Sequence, residues 1–377
     1  MNNSPSPLEQ ILVIQTAFLG DAVLATALLE KLRAHHPDAA IDLVVRKGND
    51  GLFDGHPFLR KLFVWDKRTG KTRNLFRLIG ELRATRYDHI INCQRFFSTG
   101  LMTALARGGE KIGYDKNPLS FLFTRRVKHE IPDPAAVRKA GEVMLRAPAP
   151  KRFGVGAQAQ HDKQPWGDNT GSERIVHEVD RLNALIAHLT DDVRPLPALY
   201  PNAPDREATA VWAEGPAYVT IAPASVWYTK QWPAAKWTEL IKTLPPEMRV
   251  LLIGAPGDVP LCERIVRDAG RGDVLAGKLS LLGTAHIMEN AAMNYVNDSA
   301  PLHIASAMRA SVTAVFCSTV PAFGFGPLNA NGRVVETTEK LDCRPCGLHG
   351  YKACPKGHFR CAEGIGADLR PQGELTL

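Results

Sequence analysis

The sequence predicts an α/β protein built from two doubly wound parallel sheets. Residues 11–93 alternate strand-like apolar runs with helical periodicity, and the same alternation resumes over residues 217–319. Strands that alternate with helices favour parallel sheets with right-handed crossovers. A chain of 377 residues exceeds one compact core and fits two domains. Residues 191–217 are rich in Pro and separate the halves, so we place the boundary between domains 1–204 and 205–377.

Apolar runs of strand length recur along both halves, and helical spacing follows most of them. Strands are predicted at residues 11–15, 41–45, 61–65, 89–93, 217–223, 249–258 (the last part a Gly-rich turn), 294–299 and 311–319. Helices are predicted at residues 22–37, 74–87, 177–189, 234–245 and 302–310. Residues 147–172 hold many Gly, Pro and Gln and few periodic apolar positions, so they predict a long loop or insert.

The excess of positive over negative charge is confined to the first part of the chain. The formal net charge is +7, yet residues 1–140 carry 22 Lys and Arg against 14 Asp and Glu, whereas the remainder carries 24 against 25. A basic half predicts a phosphorylated partner or an anionic membrane surface, and a merely solvated surface is the alternative. No recognised nucleic-acid-binding module accompanies the charge, so we expect no nucleic acid partner.

The sequence shows no segment that would direct it into or across a membrane. No apolar run reaches the roughly 18 residues that a spanning helix needs. The first ten residues, MNNSPSPLEQ, are polar and do not resemble a signal peptide. We therefore expect a cytoplasmic protein.

The first turn with chemical potential follows the first predicted strand. Ligands of open α/β sheets bind beyond the carboxyl ends of the strands, where helices begin. Gly20 would allow a tight turn close to a ligand, and Asp21 would stand at the start of the next helix. Asp21 is then either a functional carboxylate or an acidic residue that stabilises the helix dipole.

A second turn, residues 222–233, carries Ser225, Thr229 and Lys230 between a strand and a helix entered through Pro233. Hydroxyls, an ammonium group and free helix amides are suited to a diphosphate. The segment lacks the glycine spacing and the Gly-Lys-Ser/Thr ending of a P-loop, which disfavours an NTPase. An exposed loop with an incidental lysine is the alternative.

Two later turns carry further polar groups. Asp258 follows a predicted strand and could accept hydrogen bonds from ribose hydroxyls, although Pro-Gly-Asp is also common in turns. Asp298 and Ser299 stand where another strand gives way to a helix, so that backbone amides would face an anion. His303 is then either a ligand contact or a buried histidine bonded to the backbone.

Together these turns resemble glycosyltransferase family 9, the ADP-heptose:lipopolysaccharide heptosyltransferases. The segment LGDAVLATALLEKLRAHHPDAAIDLVV resembles the opening strand–turn–helix–strand of the family. TKQWPAAKWTELI resembles its Lys-x-Trp-Pro block, and NDSAPLHIASAM resembles its Asp-Ser-Gly-Pro-x-His block. The resemblance covers most of residues 10–330, apart from the insert.

The resemblance implies the GT-B architecture, in which two Rossmann-like domains face each other across a cleft, and an inverting reaction without a metal or cofactor. Asp21 would be the general base that deprotonates the acceptor hydroxyl. Lys230 would neutralise the departing diphosphate. The donor would be ADP-heptose, bound in the C-terminal domain. Its contacts would come from Gly20, Ser225, Thr229, Asp258, Asp298, Ser299, Ala300 and His303.

The N-terminal domain would bind the acceptor, a phosphorylated inner core of lipopolysaccharide, at the anionic surface of the inner membrane. KNPLSFLFTRR resembles a family segment that contacts this core, which makes Lys116 the candidate residue, with Arg95 and Lys111 as further candidates. Ala300 departs from the glycine usual in the family and adds a methyl group beside the expected phosphate. The identity of the donor is therefore less determined than the reaction class.

Seven cysteines divide into two groups. Cys93, Cys262 and Cys317 lie among apolar residues and are predicted to be small core residues. A C-x2-C-x7-C-x6-C pattern near the C-terminus could bind structural zinc, remain reduced, or serve a redox role. Its members are Cys343, Cys346, Cys354 and Cys361.

Two alternatives to heptosyl transfer remain. One is another nucleotide-sugar enzyme of the same fold, with a different donor or an epimerase reaction. The other is a protein that binds a nucleotide sugar without turnover, against which the presence of both Asp21 and Lys230 counts.

Overall fold

The first part of the chain folds into a six-stranded, all-parallel sheet in the order β3-β2-β1-β4-β5-β6. The computed structural model describes residues 8–138 and 176–369. The strands are β1 (Gln10–Ile14), β2 (Ala40–Arg46), β3 (Leu59–Trp65), β4 (Tyr87–Asn92), β5 (Gly108–Tyr114) and β6 (Arg125–Val127). The helices between them are α1 (Leu19–His35), α2 (Lys71–Leu82) and α3 (Phe97–Leu105).

The second part repeats this topology with six parallel strands in the order β12-β11-β10-β7-β8-β9. The strands are β7 (Tyr218–Ala222), β8 (Arg249–Leu252), β9 (Asp273–Val274), β10 (Met293–Asn297), β11 (Val312–Phe316) and β12 (Gly332–Glu336). The helices that follow β6 along the chain are α4 (Glu178–Ile186), α5 (Ala203–Ala213), α6 (Ala234–Thr243), α7 (Val259–Ala269), α8 (Leu281–Asn290), α9 (Ala300–Ala307) and α10 (Arg360–Glu363). In both sheets the order reverses between the first and fourth strands, which is where such folds bind ligands.

The prediction of two doubly wound parallel sheets is confirmed. The helix predicted over residues 74–87 ends earlier, at Leu82, because Tyr87 already pairs with the neighbouring strand β5. The Pro-rich stretch 191–217 contains α5, whose first turn is capped by hydrogen bonds between Asn202 and Asp205 in both directions. The boundary after residue 204 falls within this helix and stays a prediction. The predicted insert 147–172 lies outside the described residues.

Helix α1 is buried because it packs between the two halves. Its side chains from Ala22 to Leu32 are almost all buried, so it has no polar face of the usual kind. It packs against α4 and, across the domain interface, against α9. The contact with α9 is close at Gly20, where an added Cβ would lie 2.7 Å from Cδ2 of His303. The first turns of α1 and α9, each following a central strand, therefore meet at the interface.

Helix α4 connects the two halves through hydrogen bonds to carbonyl groups of the second half. The Glu178 amide donates to the carbonyl of Gly324 at 2.8 Å, and the Arg181 guanidinium donates to the carbonyl of Phe323 at 2.9 Å. Across both described ranges, no helix is both long enough and apolar enough to span a bilayer.

Candidate active site

Asp21 occupies the first turn of α1 at the domain interface. It retains some solvent exposure. Burial and the nearby Glu178 carboxylate raise the pKa of Asp21 to about 6, against opposing effects of the Phe18 and Asp21 backbone amides and of Lys230. A carboxylate with this pKa is mostly ionised at neutral pH and a better proton acceptor than an ordinary aspartate. The charge of Lys230 from the second domain therefore acts on this carboxylate across the interface.

Glu178 is a residue of the site that the sequence analysis did not identify. It is buried at the start of α4 and forms an ion pair with Arg181 at 2.7 Å. Its negative charge reaches Asp21 and contributes to the raised pKa. A glutamate in the first turn of a helix has an ordinary explanation in the helix dipole, so its sequence position gave no signal.

Lys230 ends a short 3-10 turn, Tyr228–Lys230, after strand β7. Its Nζ lies 2.6 Å from Oδ2 of Asp298, and both side chains are largely buried. The same Asp298 oxygen accepts a hydrogen bond from the Thr319 hydroxyl at 2.5 Å. The ammonium group is therefore held at a fixed position by a residue from the end of the adjacent strand β10.

The Asn297 side chain connects the end of β10 to the loop after β7 by hydrogen bonds. Its Oδ1 accepts a hydrogen bond from the Trp232 amide at 2.9 Å, and its Nδ2 donates to the Pro223 carbonyl at 2.8 Å. The loop that carries Lys230 is thus tied to β10 at both of its ends. Asn297 was not among the predicted site residues, because nothing in the sequence distinguishes it from a strand-end asparagine.

His303 and the first turn of α9 lie directly opposite Gly20. Burial lowers the pKa of His303 to about 4, with a smaller opposing effect of Asp298, so its imidazole is neutral at physiological pH. Its Nδ1 is buried without a hydrogen-bond partner within the described residues. Ser299 and Ala300 are partly exposed at the start of α9, and the Ser299 side chain does not cap the helix. The start of α9 therefore faces the interface with the Ala300 amide, since Pro301 has no N–H and the Leu302 amide donates to the Ser299 carbonyl at 3.0 Å.

The other predicted donor residues are distributed over the same edge of the sheet. Ser225 is partly exposed in the loop after β7, and its carbonyl accepts from the Gln231 side chain at 2.7 Å. Asp258 bonds to the Ala255 amide at 2.8 Å and stabilises its own turn. Thr229 is buried, and its hydroxyl oxygen accepts a hydrogen bond from the Tyr351 amide at 2.7 Å. Their roles in donor binding stay predictions.

Of the three predicted acceptor residues, two lie at the carboxyl edge of the first sheet. Arg95 and Lys116 are exposed in neighbouring loops, which are joined by the Asn117 side chain donating to the Phe96 carbonyl at 3.1 Å. Lys111 lies apart from them. Its Nζ donates to the carbonyl of Ala104 near the end of α3, at the amino edge of the sheet. The structure therefore groups Arg95 and Lys116 but not Lys111.

A second basic cluster lies around the turn between β1 and α1 and was not predicted. Lys67 donates to the Thr16 carbonyl at 2.6 Å, beyond the end of β1. Burial, Arg46 and Lys71 lower the pKa of Lys67 to about 8. The Arg46 guanidinium lies 5.3 Å from the ring centroid of the exposed Phe18. Cations held together in this way form a site of positive potential that an anion would stabilise.

The cysteines follow their predicted division. Cys93, Cys262 and Cys317 are buried, as predicted for core residues. In the C-terminal segment, burial and neighbouring thiols raise the pKa of Cys361 to about 12. Sγ of Cys343 lies 3.8 Å from Nε2 of His358. Within the ranges 8–138 and 176–369, no three His, Cys, Asp or Glu side chains are arranged to hold a metal, and the zinc interpretation of the four cysteines stays a prediction.

Two Rossmann-like domains, with polar groups where their strand ends face each other, have the arrangement of the GT-B fold. The model of glycosyltransferase family 9 (heptosyltransferase) matches residues 75–349, most of the chain. The protein therefore belongs to glycosyltransferase family 9.

Similar proteins agree with this membership. Lipopolysaccharide heptosyltransferase 3 of Escherichia coli is 23% identical over 312 residues, covering 80% of this chain and 82% of the relative. Lipopolysaccharide heptosyltransferase 1 of Pseudomonas aeruginosa is 24% identical over 356 residues, covering 89% and 86%. The solved structure of E. coli ADP-heptose lipopolysaccharide heptosyltransferase II has a TM-score of 0.66 at 20% identity, covering 89% of this chain and 95% of that one. The GT-B fold is thereby confirmed, and the chain is a glycosyltransferase.

Proposed function

We propose that the protein transfers heptose from ADP-heptose to a phosphorylated inner core of lipopolysaccharide, with inversion and without a metal. The observation that carries this proposal is the contact of the first turns of α1 and α9 at Gly20 and His303, which puts Asp21 on one side of a shared interface and the Lys230–Asp298 pair on the other. The names of the relatives support the donor and the acceptor, since they are lipopolysaccharide heptosyltransferases and one is an ADP-heptose enzyme.

In this mechanism Asp21 accepts the proton of the acceptor hydroxyl as its oxygen attacks the anomeric carbon of the donor. The raised pKa of Asp21 supports this role, because it brings the base closer to neutral pH. The bond between the sugar and the diphosphate breaks on the opposite face. A direct displacement of this kind inverts the anomeric centre.

Lys230 stabilises the negative charge that develops on the leaving diphosphate. Its ion pair with Asp298 at 2.6 Å keeps the ammonium group in place before the donor arrives, so little reorganisation is needed during the reaction. A fixed ammonium group and the positive end of the α9 dipole can supply the neutralisation that other enzymes obtain from a divalent ion. This supports a reaction without a metal.

On the acceptor side, the cluster of Arg46, Lys67 and Lys71 lies around the turn that precedes α1 and would hold phosphate groups of the core. Arg95 and Lys116 extend the basic surface along the same edge. Exposed apolar side chains accompany these cations, which suits a peripheral contact with an anionic bilayer on the cytoplasmic side. They are Phe96, Phe97, Phe121 and Leu122.

The experiment that tests the proposal has two stages. First, thermal unfolding is followed with ADP, UDP, GDP and CDP at equal concentration, and ADP should raise Tm the most because it stabilises the folded state by mass action. Second, ADP-heptose is incubated with a heptose-deficient core, and the product is examined by mass spectrometry. Gain of one heptose by the core supports the proposal. Stabilisation by UDP alone, or conversion of the donor without an acceptor, would replace it with one of the alternative nucleotide-sugar reactions.

A different donor is the second candidate, and Ala300 is the observation that favours it. The residue stands at the start of α9, where its Cα would lie 3.7 Å from a Cβ added at Gly20. Its methyl group reduces the space beside the expected phosphate. If ADP-heptose is nevertheless the donor, Ala300→Gly should leave its kcat/KM within a few fold. A large gain for ADP-heptose would indicate that the natural protein prefers another donor.

A further inference from the structure

The cysteine-rich segment, residues 343–361, folds back onto the turn that carries Lys230. The Cys346 amide donates to the Ser318 carbonyl at 2.9 Å, beyond the end of strand β11. Further along the segment, Tyr351 and Thr229 exchange two hydrogen bonds, from the Tyr351 amide to the Thr229 hydroxyl at 2.7 Å and from the Thr229 amide to the Tyr351 carbonyl at 3.1 Å. The residues between these anchors are therefore fixed against the donor side of the interface.

Gly350 shows how tightly this part of the segment is packed. Its φ of +77° favours glycine, and an added Cβ would lie 2.9 Å from Oγ1 of Thr229 and 3.2 Å from Cγ of Lys230. The backbone next to His349 thus touches the side chain of the proposed catalytic lysine. His349 itself remains exposed, so its imidazole is accessible to a ligand.

Three groups of the site act on the charge of His349. Its pKa is lowered most by partial burial, next by the charge of Lys230 and then by that of Arg95. The negative charge of Asp298 acts in the opposite direction. Arg95 belongs to the first domain and Lys230 to the second, so charges of both domains act on the imidazole. Asp298 is already paired with Lys230 at 2.6 Å. The positive charge that Asp298 does not neutralise can be neutralised by an anion that enters from solvent.

We propose that His349 binds a phosphate group in this cleft through a hydrogen bond from its imidazole to a phosphate oxygen. The inference rests on the proposed function, because it assumes that a phosphorylated ligand occupies the site. The phosphate belongs either to the diphosphate of the donor or to the phosphorylated acceptor.

The proposal implies that ligand binding changes the protonation of His349. In the free protein, the surrounding cations favour the neutral imidazole. A phosphate within hydrogen-bond distance reverses this electrostatic environment and favours the imidazolium. Binding near pH 6.5 should therefore take up a proton from the buffer. Asp21 responds to an anion in the same direction, so the contribution of His349 is the difference between the wild type and a variant of this residue.

The test is isothermal titration calorimetry of ADP at pH 6.5, in two buffers that differ in ionisation enthalpy, on the whole protein. His349→Gln should weaken ADP binding about 10- to 100-fold, the range expected for one hydrogen bond to a charged group, and should reduce the proton uptake. His349→Lys restores a cation and should recover much of the affinity without recovering the proton uptake. The matched control is Lys356→Gln, which removes a positive charge from an exposed position of the same segment and should change neither quantity.

An acceptor titration separates the two sources of phosphate. If His349→Gln binds ADP like the wild type but raises KM for the phosphorylated core at saturating donor, the phosphate is that of the acceptor and the inference holds. If affinity for ADP, proton uptake and acceptor KM all match the wild type, the inference is overturned while the proposed function stands. A wild-type protein that binds ADP in neither buffer would instead remove the proposed function itself.

Discussion

The raised pKa of Asp21 should appear directly in the pH dependence of the reaction. Only the ionised carboxylate can accept the acceptor proton, and the pKa of Asp21 is about 6 rather than the ordinary 3.8. At pH 5 about a tenth of the base is then ionised, so kcat/KM should fall to about a tenth of its value at pH 8. A carboxylate with an ordinary pKa would keep about nine tenths of its activity at pH 5.

Glu178 provides a perturbation of this pKa that leaves Asp21 in place. The Glu178→Gln substitution removes a negative charge near Asp21, and its partner Arg181 at 2.7 Å then acts as an uncompensated cation. Both changes favour the ionised form of Asp21. The fall of kcat/KM on the acidic side of the pH profile, its acidic limb, should therefore move to lower pH. The move should reach about one pH unit if the charge of Glu178 accounts for half of the rise in the pKa of Asp21.

The assay is the initial rate of core glycosylation from pH 4.5 to 8.5 at constant ionic strength, with saturating donor and acceptor below KM. The matched control is Glu30→Gln, because burial also raises the pKa of Glu30, on the same helix but several turns away. This control should leave the limb unchanged. A profile that is flat between pH 5 and 8, or a limb that Glu178→Gln does not move, would refute the assignment of the limb to Asp21.

Three further variants test the supporting structure by urea unfolding and steady-state kinetics. Gly20→Ala places a Cβ 2.7 Å from His303 and should lower both kcat/KM and, by about 1–3 kcal/mol, the free energy of unfolding. The control Gly80→Ala places a Cβ with no atom within 4 Å and should stabilise its helix by about 0.5–1 kcal/mol. Equal effects of the two variants would contradict the close contact at Gly20. Asn297→Ala leaves a buried amide and carbonyl unpaired and should cost about 1–3 kcal/mol with weaker ADP binding, and unchanged ADP affinity would show that the loop does not need this anchor. The pKa of Asp21 is about 6 in the folded protein, so ionising this carboxyl lowers the free energy of unfolding. The whole loss is present above pH 6, and none of it is present below about pH 4. Asp21→Asn should therefore stabilise the protein by up to about 3 kcal/mol at pH 8 and by less at pH 5, and an equal gain at both values would contradict the shift.

The architecture could be predicted from sequence because local patterns determine it. Strand-sized apolar runs followed by helical spacing recur in both halves, and each half needs the same parallel topology to bury them. Gly20 and Asp21 also carried a local signal, since a tight turn between a strand and a helix is a known ligand position. The overextended helix at residues 74–87 shows the limit, because tertiary pairing of Tyr87 in a strand overrides its helical context.

The groups that tune the site could not be predicted, because they come from distant parts of the chain. Glu178 acts on Asp21 only after α4 packs against α1, and no spacing in the sequence encodes that meeting. Lys67 resembled any other surface lysine until the sheet brought it beyond the end of β1. The Thr229 hydroxyl accepts a hydrogen bond from the Tyr351 amide of the cysteine-rich segment, a contact that no spacing in the sequence indicates.

The measurement that tests the central claim most directly compares turnover and ADP affinity in Asp21→Asn. The amide keeps the shape of the side chain but has no basicity, so chemistry should suffer while the diphosphate site across the interface stays intact. We predict that kcat falls about 10²- to 10⁴-fold with the Kd of ADP unchanged within about twofold. An Asp21→Asn enzyme that glycosylates the core at a rate near that of the wild type would contradict the account.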